Sequence, residues 1–135
     1  RDQPRSRGLG DVYKRQSLIV SSAPSVFPWC KNEYLQDWPS WLDKGYVDLV
    51  IPQHYRYDID SYQSTLVQQL SYVEAKDRKK FMPGVLIQNG DYNPTEDYLR
   101  KMVECNRRNQ VSNECFWFYE GLGKLSSFFV NYRNK

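Results

Sequence analysis

Residues 52–58 read Pro-Gln-His-Tyr-Arg-Tyr-Asp, a row of hydrogen-bonding and aromatic side chains behind one proline. Gln53 and Tyr55 each carry a donor and an acceptor, which suits a sugar hydroxyl. His54, the single histidine, could bond a hydroxyl or relay a proton. Tyr57 adds a ring, Arg56 a guanidinium for a carboxylate or for Asp58, and Asp58 an acid that otherwise caps the turn before Asp60. A second cluster, residues 116–120, reads Phe-Trp-Phe-Tyr-Glu. An acid closing an aromatic run is expected to be partly desolvated, which raises its pKa and suits a general acid. General acid–base catalysis by carboxyl groups needs one protonated and one ionised at the working pH. Glu120 is therefore the first catalytic candidate and Asp58 the second. Asp91, behind Gly90, reads as a turn residue or a substrate ligand, and Asp48 as structural. Trp29 could stack on a pyranose face or anchor its own loop.

These groups need elements to present them. Val47, Leu49, Val50 and Ile51 form an apolar, β-branched run that suits a buried strand, and Pro52 should weaken it because proline donates no ladder hydrogen bond. Further strands are expected at 18–20, 81–87 and 115–119. Between them, Asp37-Trp38-Pro39 opens a helix and Gly45 closes it. Tyr62, Leu66, Leu70 and Val73 form a helical stripe. Thr95 caps a third helix, with Glu96 and Asp97 in its first turn and Leu99, Met102, Val103 and Asn106 inward. Residues 27–34 read as a long loop, and 125–132 as a last amphipathic piece. Strands recurring about every 30 residues and alternating with helices imply an α/β fold with a parallel sheet of about four βα units. Such a set is either a small open sheet or part of a (β/α)₈ TIM barrel, which needs roughly 250 residues.

Composition bounds the rest. The 135 residues suffice for one domain, and 16% are aromatic, including 4 Trp and 11 Tyr. The net charge of +3 resides in residues 1–16, where five Lys and Arg face two Asp. The other 119 residues sum to zero, so no phosphate backbone and hence no nucleic acid is expected as partner. Cys30, Cys105 and Cys115 form no C-x-x-C, and a lone histidine builds no typical zinc cluster, so neither metal nor cofactor is expected. No run approaches the 18 apolar residues of a membrane span. Residues 1–16 lack apolar periodicity and read as a disordered leader. Their ending also resembles a translated sequencing adapter, a segment to exclude from fold reasoning.

The stretches Ser21-Ser22-Ala23-Pro24-Ser25-Val26-Phe27-Pro28-Trp29, Trp41-Leu42-Asp43-Lys44-Gly45-Tyr46-Val47-Asp48 and Pro52-Gln53-His54-Tyr55 together resemble the later strands of the bacterial glycosyl hydrolase-like family 10 proteins. The resemblance covers nearly all of residues 17–135. It implies a TIM barrel of which this chain holds the C-terminal half, with the N-terminal half and its acidic cluster upstream. It also implies hydrolysis of glycosidic bonds in polysaccharide or peptidoglycan glycan strands, in an extracytoplasmic setting. A non-catalytic carbohydrate-binding barrel is the alternative that the same residues allow.

Overall fold

The computed structural model describes residues 18–132; the leader at 1–16 lies outside them. Helix dominates, at about half of the described residues. In chain order the elements are β1 (Ser21–Ser22), α1 (Trp29–Tyr34), α2 (Trp38–Asp43), β2 (Leu49–Val50), α3 (Ile59–Leu70), a 3₁₀ turn (Ala75–Lys80), β3 (Gly84–Leu86), α4 (Glu96–Arg108), β4 (Cys115–Trp117), a second 3₁₀ turn (Tyr119–Leu125) and α5 (Ser126–Tyr132).

The expected sheet of four βα units within a TIM barrel is not what forms. The strands make two separate two-stranded parallel sheets, β1–β2 and β3–β4, and no barrel closes. Between β2 and β3 only isolated parallel bridges occur, Val50 to Phe81 and Gln53 to Gly84. Proline explains the gap. Pro52 stands where the β2–β3 ladder would need an N–H donor and has none, and Pro83 interrupts the other edge, where its carbonyl accepts from Cys115 N at 3.0 Å but no N–H answers toward β4. The bonds that remain are Met82 N to the Val50 carbonyl at 3.0 Å, Gly84 N to Pro52 at 2.8 Å and His54 N to Gly84 at 3.0 Å. The first apolar run also lies ahead of its strand, since pairing begins at Ser21 opposite Leu49.

Helix α3 begins at Asp58, whose carboxylate accepts from Ser61 N at 2.8 Å, and it buries Tyr62, Leu66 and Leu70. Helix α4 is capped by Thr95 Oγ1 on Tyr98 N and buries Leu99, Met102 and Val103. Each such aliphatic side chain contributes roughly 1.5–3 kcal/mol when fully buried. Gly45 ends α2 at φ +70°, a conformation that favours glycine. Asp37 precedes α2, but its carboxylate pairs with Lys31 at 2.9 Å and makes no cap. The expected loop at 27–34 coils into α1. It is clamped by the buried Gln69 side chain, which accepts from Phe27 N and donates to the Phe27 carbonyl, both at 2.7 Å.

A buried polar hub joins the helices to the start of β4. Tyr62 Oη donates to Asn106 Oδ1 at 2.9 Å, and Asn106 Nδ2 donates to Glu114 Oε2 at 3.0 Å. Arg107 grips both Glu114 oxygens, at 2.8 and 2.9 Å, and Tyr132 Oη donates to Oε1.

Candidate functional site

All four strands run parallel within their pairs, so their carboxyl ends share one edge, and the loops after them carry most of the candidate residues. Burial alternates along 50–55. Val50, Pro52 and His54 turn into the helical core, whereas Ile51, Gln53 and Tyr55 are half-buried on the opposite face. On β4, Phe116 packs edge-to-face on Phe129, with ring centres 5.0 Å apart, while Cys115 and Trp117 are exposed. One face of the strands therefore carries the helices and the other lies largely open.

This alternation separates the row at 53–58. Gln53 Nε2 is held by the Ala23 carbonyl at 3.0 Å. Tyr55 lies near Cys115, and burial, helped by that thiol, pushes its pKa up to about 12. His54 is fully buried beside the rings of Tyr62 and Phe81, at 6.0 and 5.8 Å, and neither ring nitrogen has a partner. Burial, with a smaller push from Arg56, lowers its pKa to about 3, so the imidazole is neutral. A ring sealed in this way reaches no hydroxyl on the open side.

Tyr57 and Tyr92 form an edge-to-face pair with ring centres 4.8 Å apart at the strand-end rim. Tyr98, in the first turn of α4, fixes the loop beneath them, with its hydroxyl shared between the carbonyls of Arg56 at 2.8 Å and Asp58 at 3.0 Å. Burial raises the Tyr98 pKa, so this hydroxyl stays a donor. Beside Tyr92, Asn93 donates to the Ile87 carbonyl at 2.8 Å and to Gln88 Oε1 at 3.4 Å, and accepts from Lys124 Nζ at 2.8 Å. Neither Tyr92, Tyr98, Asn93 nor Lys124 stood out in the sequence. The one signal was the 88–94 segment after β3, which contains Tyr92 and Asn93.

The acids are less concentrated. Asp58 is exposed, and both its oxygens are engaged by Ser61, one by the backbone N–H and one by the hydroxyl at 2.7 Å. Those bonds hold its carboxyl below the usual range. Glu120 is exposed, so the desolvation expected for a general acid is missing. Its neighbour Gly121 is buried so tightly on the Ile87 carbonyl that an added Cβ would approach it to 2.7 Å. Asp91 is exposed beside Gly90 in a tight turn closed by mutual backbone bonds between Asn89 and Tyr92. Trp29 sits apart on α1, half-exposed and edge-on to Tyr34 at 5.0 Å.

Among the described residues no group of three or more His, Cys, Asp or Glu side chains is placed to hold a metal ion. No described helix is long and apolar enough to cross a membrane. Comparison with protein-family models, with curated proteins and with solved structures returns no match.

Proposed function

We propose that the strand-end rim recognises carbohydrate, as part of a protein that acts on polysaccharide or peptidoglycan glycan strands. The observation that carries this reading is the Tyr57–Tyr92 pair set on its Tyr98 brace. Aromatic rings stack on the apolar faces of sugars, and the bonds named above leave Gln53 Oε1 to accept and Gln88 Nε2 to donate at the same strand ends. The resemblance to glycosyl hydrolase-like proteins extends the reading to hydrolysis of glycosidic bonds, with Glu120 as the acid this chain would bring.

A specific observation favours recognition without turnover in this chain. Asp58, the second acid, is committed to Ser61 as the cap of α3, and Glu120 stands exposed rather than enclosed in a cleft. The test is affinity electrophoresis of the 135-residue chain in gels containing soluble polysaccharides, alongside pull-down on insoluble peptidoglycan. Retardation that weakens in Tyr57→Ala and Tyr92→Ala supports the rim as the binding surface. Equal migration with and without every glycan would sink it. Release of reducing ends that disappears in Glu120→Gln would transfer the assignment from binding to catalysis.

A further inference from the structure

We propose that a groove at the opposite end of the molecule, by the amino ends of β3 and β4, binds a small phosphate-bearing ligand with an apolar body. Two adjoining cavities of about 610 and 450 Å³ share Ala75, Arg78 and Gln110 as walls. Arg108 lines the first and Lys79 the second, and Leu70 and Phe81 contribute apolar floor. Volumes of this order suit small-molecule sites. No carboxylate lines either cavity.

The pairing pattern of the surrounding cations singles the groove out. The segments 76–80 and 107–108 hold six Lys and Arg. Lys76 pairs with Asp43 and Glu74, Lys80 with Asp77, and Arg107 with Glu114. Arg78, Lys79 and Arg108 have no ion pair among the described residues, and these are the three that line the cavities. A last-turn carbonyl of α4, that of Cys105, already accepts from Asn109 Nδ2 at 2.8 Å, so Arg108 is not required for that purpose. Two guanidinium forks and an ammonium around an acid-free hollow match the oxygens of a phosphate, which arginine can bind bidentately. The apolar floor and the amides of Asn109 and Gln110 fit a ligand that carries a small ring or chain on that phosphate. The balanced charge of residues 17–135 argues against a long nucleic-acid track, and the confined volume argues for a small molecule.

The probe is phenyl phosphate, titrated into the full chain and followed by amide NMR shifts, with inorganic phosphate and benzyl alcohol as comparators. Saturable shifts at 70–80 and 108–113 are expected with phenyl phosphate, weaker ones with inorganic phosphate and none with benzyl alcohol. Arg78→Gln and Arg108→Gln should each weaken binding roughly three- to tenfold, since the groove is partly exposed to solvent. Lys101→Gln, whose lysine pairs with Asp97 at 2.7 Å, should leave it unchanged. Both arginines are exposed, so the variants should keep the parent's thermal midpoint. Absence of saturable shifts, equal affinity in the arginine variants, or equal binding of benzyl alcohol overturns the proposal. Length-dependent binding of a single-stranded oligonucleotide tighter than phenyl phosphate overturns the small-molecule assignment as well.

Discussion

Acidification should destabilise this protein through one side chain before its carboxylates respond. His54 is sealed in the core with both ring nitrogens unpartnered, and its folded pKa falls from an ordinary 6.5 to about 3. The unfolded chain binds a proton near pH 6.5 that the folded chain refuses, so the stability is complete above about pH 6.5 and declines as pH drops towards 3. Each unit within that window costs about 1.36 kcal/mol, which makes the loss between pH 7 and pH 4.5 about 2.5 kcal/mol. Among single domains with 5–15 kcal/mol in total, that is a large change. The perturbation that isolates it is His54→Phe, which keeps a ring against Tyr62 and Phe81 and removes no hydrogen bond. Urea unfolding at pH 7 and pH 4.5 measures both proteins. The parent should lose about 2.5 kcal/mol more than the variant on acidification. The same loss in both proteins would refute the reasoning, because it would show that the imidazole titrates in water in the folded state.

Four further outcomes are expected. Gly121→Ala must displace the Ile87 backbone and should lower stability by about 1–3 kcal/mol, read from thermal melts. Glu114→Gln weakens the bidentate contact with Arg107 and leaves Tyr132 with a poorer acceptor. It should cost about 3 kcal/mol in urea unfolding, while Glu104→Gln, an exposed position, should cost little. Asp58→Asn keeps a good cap and should leave glycan retardation unchanged, whereas Asp58→Ala should lower the thermal midpoint without abolishing it. Tyr98→Phe, which removes the bonds to the Arg56 and Asp58 carbonyls, should cost about 1 kcal/mol and weaken glycan binding by loosening Tyr57.

Helices α3 and α4 were legible because their signals are local, whereas α1, expected as a loop, was not. The stripe Tyr62, Leu66, Leu70 and the cap at Thr95 need only neighbours in sequence. Three strands were placed but drawn too long, and their joining into one sheet was not legible, because pairing depends on segments about 30 residues away and on which N–H groups prolines remove. The run 46–51 shortened to two paired residues for that reason. His54 looked like part of a polar loop, yet it stands in phase with Val50 and Pro52 at a spacing of two, and that phase decided its burial. The signal was present and its polar company concealed it. The exposure of Glu120 belongs to the 3₁₀ turn that follows β4, which the apolar spacing does not reveal. The rim was half legible: Tyr57 stood out, but its partners come from a turn and a helix that only tertiary packing brings to it.

The Glu114 hub also bears on synthesis. Its partners arrive in chain order, Tyr62 first, then Asn106 and Arg107, and Tyr132 last. Residue 132 must clear the ribosome exit tunnel before the final donor can reach the carboxylate. Until then Glu114 has Arg107 but lacks the lid that α5 provides, and the helices beneath it remain wetted. Helix α5 therefore sets the earliest moment during translation at which Glu114 can gain its full set of partners.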